Sequence, residues 1–198
     1  MRFPQAFALT GPLMLLSLPA MAHPGHEHGS GLMAGLLHPL TGMDHLLAMV
    51  AVGLWAGFVM PRRVLVAPLT FMAAMGSGAL LGWAGIHLPL VETGIVLSVV
   101  VFGLLTLTGG QQQSVMLTRA SLLCIGLFAV LHGHAHATEA SGHAGAYLAG
   151  FMLSTAALHG LGVLMALAVA RGQAGRWVQH VSGAVIAGGG AFLMLGAA

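Results

Sequence analysis

Six apolar runs of membrane-spanning length leave this chain almost no choice of solvent. They cover approximately Leu32 to Val59, Val64 to Ala84, Pro89 to Thr108, Val115 to Leu131, Gly145 to Ala170 and Trp177 to Leu195, and a transmembrane helix needs about 20 such residues. Only 5% of the 198 residues are charged, against about a quarter in soluble domains, and mean hydropathy is +0.94. The expected architecture is an all-α polytopic membrane protein, a six-transmembrane-helix bundle forming one domain over residues 32–198. Gly53-x-x-x-Gly57 and Gly78-x-x-x-Gly82 are small-residue spacings that let such helices approach closely.

The flanks set an orientation. Residues 1–22 combine Arg2, an apolar stretch from about Ala6 to Leu18 and the small-residue site Ala20-Met21-Ala22, the pattern of a cleavable signal peptide. The mature chain is then expected to begin at His23, the alternative being an uncleaved first helix. Residues 23–31 form a His-rich tail in which His23, His26 and His28 serve either as secondary metal capture or as a solvated linker. Arg62, Arg63, Arg119, Arg171 and Arg176 all fall on one side of the bundle, which the positive-inside rule makes cytoplasmic. Both mature ends then lie in the periplasm, N-out and C-out, and the bilayer is the bacterial inner membrane.

Charge also excludes functions. All six basic residues are Arg, so there is no Lys for a Walker A phosphate loop or for Schiff-base chemistry. A net charge of +2 is too small for a nucleic-acid footprint. Cys124, the single cysteine, can form no internal disulfide and reads as a small core residue. The thirteen Met are scattered and read as apolar filling, whereas twelve His among 198 residues are the compositional oddity.

Those histidines concentrate the chemistry. His38, Asp44 and His45 lie within eight residues of the first apolar run, and ionisable groups inside a membrane usually face a bundle interior or a polar pathway. Pro39 and Gly42 between them weaken the helix, so the span is expected to kink or break where freed backbone lines a cavity. Descending from Leu32 at about 1.5 Å per residue, Asp44 would lie roughly 18 Å down, near mid-membrane. His132 and His136 share a helix face if the fourth helix extends that far, with His132 and His134 near the outer mouth and His134, His136, Glu139 and His143 in or near a polar outer loop. Thr155 and His159 are one turn apart and deeper. Glu92, beside Pro89, is either a pathway carboxylate or an interfacial one. His87 and His180 read as structural. Imidazoles with a carboxylate suit nickel, cobalt, copper or zinc, whereas magnesium and calcium sites are mostly oxygen.

The run from His38 through Asp44-His45-Leu46-Leu47-Ala48-Met49 to Gly53-Leu54-Trp55-Ala56 resembles the HPxxGxDHxLAMxxVGxxA pattern of the HupE/UreJ family of bacterial nickel permeases. The resemblance extends to the Arg-flanked first loop, the His-Gly-His-Ala-His segment and Leu158-His159-Gly160. It implies uptake of nickel, or cobalt, as a transported substrate with no permanently bound cofactor, supplying enzymes such as hydrogenase or urease. It also implies roles for His38, Asp44, His45, Phe71, Glu92 and His132, and leaves that of Glu139 open. The alternative from another class is an intramembrane zinc hydrolase, whose ion would have three protein ligands and an open position.

Overall fold

The computed structural model describes residues 31–140, 143–169 and 172–196. The expected signal peptide, the tail histidines His23, His26 and His28, and Arg171 lie outside them. Among the described residues seven helices follow one another: α1 (Gly31–Thr41), α2 (Met43–Val59), α3 (Val66–Trp83), α4 (Val91–Thr108), α5 (Val115–Glu139), α6 (Ala144–Val169) and α7 (Gly172–Gly196). There is no strand among the described residues. Helices α3 to α7 are each long and apolar enough to cross a bilayer, while α1 and α2 reach that length and hydropathy only together and are bent by 80° at their junction, the geometry of a broken span or of a re-entrant loop. The chain is a multi-pass membrane protein.

The break corrects the expected depth of Asp44. A descent of roughly 18 Å requires a straight helix, but α1 lies nearly at right angles to α2, so Asp44 sits in the first turn of a new helix. At about 1.5 Å per residue α2 spans only about 25 Å, short of the roughly 30 Å hydrocarbon core.

Helix α2 is the centre of the bundle. It is buried on almost every face from Ala48 to Val59, enclosed by α3, α4, α6 and α7. Close approach of backbones makes this possible. A Cβ on Gly53 would overlap the His159 carbonyl of α6, and one on Gly133 of α5 would overlap the Met75 carbonyl of α3. Gly78 and Gly82 likewise face α5, so both Gly-x-x-x-Gly spacings lie in helix contacts. Around this core Leu69, Leu80, Leu123, Leu127, Leu153, Leu164, Val185 and Phe192 point outward, the apolar belt that lipid covers.

The two ends of the bundle differ in charge. Arg62 and Arg63 line a groove of about 420 Å³ with Gln111 and Gln112, and the same glutamines border a second, of about 440 Å³, that includes Arg176 and Gln179. Gln179 closes this end by donating to the carbonyls of Thr106 and Gly109 at 2.9 and 2.7 Å. His45 begins α2 whereas Arg62 follows its end, so arginines and His cluster sit toward opposite ends.

Candidate metal centre

Gly42 is the hinge of the broken span. Its backbone is extended, with φ −89° and ψ 114°, and Pro39 just before it offers no N–H to the helical ladder. The His38 carbonyl closes α1 by accepting from Thr41 Oγ1 at 2.9 Å and from Gly42 N at 3.3 Å. The Gly42 carbonyl opens α2 by accepting from Leu46 N at 3.0 Å. On a straight helix His38 and His45 would be about 10.5 Å apart along the axis. The bend instead brings their ring centroids to 5.5 Å.

Helix α5 supplies a third imidazole. It runs on to Glu139 instead of ending near Leu131, so His132, His134 and His136 are helical and buried, which corrects the expectation of a polar outer loop at His134 and His136. The His136 ring lies 4.7 Å from His38 and 4.5 Å from His45. One ligand atom from each of His38, His45 and His136 lies within 4.8 Å of the others. Two nitrogens on one ion, each about 2.1 Å from it, are at most about 4.2 Å apart. Side-chain movements of under about an ångström therefore close this trio on a metal. Phe151 of α6 packs against His136 at 3.9 Å, and Tyr147 lies 6.0 Å from His38.

Hydrogen bonds assign the protons. Asp44 Oδ1 accepts from His45 Nδ1 at 2.6 Å and from His45 N at 2.8 Å. An ionised carboxylate only accepts, so the proton is on Nδ1 and the lone pair on Nε2. That Nε2 is buried with no hydrogen-bond partner among the described residues. Carboxylates in this position orient metal-binding histidines. Asp44, expected among the ligands, is engaged on His45 and is not one of the three residues that converge. At His132 the argument runs through Ser98, whose hydroxyl donates to the Ile95 carbonyl at 2.6 Å. Ser98 Oγ is left to accept from His132 Nε2–H at 3.1 Å, and the lone pair falls on Nδ1. This Nδ1 also has no partner among the described residues. The His132 ring is 5.2 Å from that of His45.

Deeper along α6, Thr155 and His159 are fully buried. Neither nitrogen of His159 nor Oγ1 of Thr155 has a hydrogen-bond partner among the described residues. Each such group costs about 1–3 kcal/mol when left unsatisfied, so three together are hard to explain as packing. Phe71 of α3, itself fully buried, touches both His132 and His159, with centroids at 5.4 and 5.0 Å.

Two expected residues fall elsewhere. His134 Nε2–H donates to the Ile86 carbonyl at 2.7 Å, tying the α3–α4 connection to α5 instead of facing the trio. Glu92 is exposed in the first turn of α4, where a carboxylate suits the helix dipole, and it is not part of the trio. Ser98, Tyr147 and Phe151 escaped sequence reasoning. Tyr147 and Phe151 share a face at i, i+4, a spacing indistinguishable from ordinary core.

In this multi-pass helical membrane protein three imidazoles converge where α1 meets α2, a donor set of the kind transition-metal ions take. The HupE / UreJ protein family matches residues 12–193. The chain is also 40% identical over 192 residues to protein HupE of Rhizobium leguminosarum bv. viciae, covering 95% of this chain and 97% of that protein. It belongs to the HupE/UreJ family, a family of transporters. No solved structure matches it.

Proposed function

We propose that the protein is a permease that carries Ni2+, or Co2+, from periplasm to cytoplasm through an intramembrane histidine path. The observation that carries this reading is the trio of His38, His45 and His136, with ligand atoms within 4.8 Å of one another inside an otherwise apolar bundle. Three imidazoles replace part of the ion's hydration shell, and a path of this kind must hold the ion weakly enough to release it. Asp44 holds the His45 lone pair in place, and His132 and His159 continue the path. The arginine end faces the cytoplasm, so the trio receives metal from the periplasmic side, and His23, His26 and His28 serve as secondary metal capture. Nickel enzymes such as hydrogenase or urease are the downstream consumers. The zinc-hydrolase alternative draws less support, because Asp44, the carboxylate beside the trio, is engaged on His45 and is not free to act on a substrate.

Uptake of Ni2+ and Co2+ into proteoliposomes, with Zn2+ in competition, tests this directly. Saturable Ni2+ entry that His38→Ala and His45→Ala abolish is expected. A tightly retained stoichiometric zinc with no metal flux would refute the permease reading. N-terminal sequencing of membrane-extracted protein should begin at His23, and a reporter fused after Ala198 should be active in the periplasm.

A further inference from the structure

We propose that Phe71 is the gate of this path, an apolar ring that separates an outer metal position at His38, His45 and His136 from an inner one at Thr155 and His159. The proposal rests on the permease reading and adds to it where the barrier to metal lies.

The ring contacts form a line. His38 meets His136, His136 meets His45, His45 meets His132, His132 meets Phe71, and Phe71 meets His159. Neither His45 nor His132 makes a ring contact with His159 among the described residues, so on this line Phe71 stands between them. Along α6, from Phe151 beside the trio to His159, the chain rises about 12 Å. An ion leaving the trio reaches the His132 lone pair and then faces a carbon ring. Beyond it wait three buried polar atoms without hydrogen-bond partners among the described residues, the two nitrogens of His159 and Oγ1 of Thr155. Hydrophobic constrictions of this kind stop ions by denying them hydration.

Phe71 comes from α3, which supplies none of the trio, and its ring also meets that of Phe102 at 6.3 Å, which in turn meets Phe128. Both Phe71 and Phe102 are fully buried, so opening the path requires the two rings to shift together. Closing again would prevent both from opening to one continuous wire.

The experiment uses the full chain, purified in detergent and reconstituted, with Ni2+ alone as the transported probe. Phe71→Trp is expected to bind Ni2+ within about threefold of the unaltered protein, because the trio is not touched. Its initial uptake is expected to fall by about tenfold or more, because the larger ring cannot clear the path. A second measurement reads the gate without transport. In a Cys124→Ala, His159→Cys background, Ag+ added from the trio side titrates the introduced sulfur, read as thiol left for alkylation. Adding Phe71→Ala should speed that reaction by about tenfold or more, because the ring no longer covers the inner position.

Uptake by Phe71→Trp at the unaltered rate would overturn the gate, as would loss of Ni2+ binding in a folded Phe71→Trp protein. So would an Ag+ reaction rate indifferent to Phe71→Ala, and this measurement alone decides the matter where the Trp variant fails to fold. Unaltered protein that neither binds nor transports Ni2+ would overturn the permease reading and the gate together. Normal transport in all Phe71 variants would overturn the gate alone.

Discussion

Asp44 can serve a metal path in two ways, as a ligand or as the residue that aims a ligand, and substitution tells them apart. Its Oδ1 lies 2.6 Å from His45 Nδ1, with the His45 side chain 8% exposed and that of Asp44 24% exposed. A hydrogen bond to a charged partner contributes about 1.5–3 kcal/mol, which converts to about 10- to 150-fold in affinity. Because the carboxylate is partly exposed, Asp44→Ala should fall toward the lower end, about 10- to 30-fold weaker Ni2+ binding. Asp44→Asn keeps an oxygen that accepts from the same Nδ1–H, so it should recover most of that loss, to within about fivefold. The assay is titration of detergent-purified protein with Ni2+ against a chromophoric chelator, with gel filtration to establish that each variant is folded. If Asn is as damaging as Ala, or if either abolishes binding altogether, the carboxylate is a ligand in its own right and the positioning account is wrong. Unchanged binding in Asp44→Ala would remove Asp44 from the site.

The other consequences concern neighbouring positions. His136→Ala should cut Ni2+ affinity by about tenfold or more, as loss of one of three ligands must, whereas His134→Ala should lower the melting temperature and leave metal affinity near normal; the reverse pattern in chelator titrations would show that the wrong α5 histidine has been assigned. Gly42→Ala places a Cβ 3.0 Å from both Asp44 Oδ1 and His45 Nδ1. The backbone there suits alanine, so the variant should fold but bind metal less tightly, and equal affinity would mean that the pair has room to give. Gln179→Leu strips two donors from the carbonyls of Thr106 and Gly109, costing about 1–3 kcal/mol for each acceptor left dry. A thermal melt in detergent should show the loss without any change in Ni2+ affinity.

The bundle was legible in the sequence and the trio was not, for a physical reason that His136 illustrates. Hydropathy reports how long a segment can stay in lipid, and the second, third and fifth runs appear as helices within about two residues of their expected limits, whereas the first divides into α1 and α2. Pro39 and Gly42 also announced the break, because each removes something an α-helix needs. Hydropathy misreads α5, however. The histidines after Leu131 lower the hydropathy, so the apolar run ends there although the helix does not. In the fold Gly133 is small because the Met75 carbonyl of α3 lies against it, and the helix continues through it for six more residues. That extension carries His136 to the place where the bent α1 delivers His38. Neither event is local: the bend direction depends on α1 packing against α6, where Gly35 meets Tyr147 and Gly150 meets Leu32. A glycine that admits a neighbour is written in one helix and explained by another, so positions of close approach and positions of chain breaking look alike until the partner is known. The same ambiguity hid Asp44. Adjacent residues on a straight helix point about 100° apart, whereas in the first turn of α2 the Asp44 carboxylate folds back onto the ring beside it. Local sequence specified which groups carry the chemistry, and helix pairing specified which of them meet.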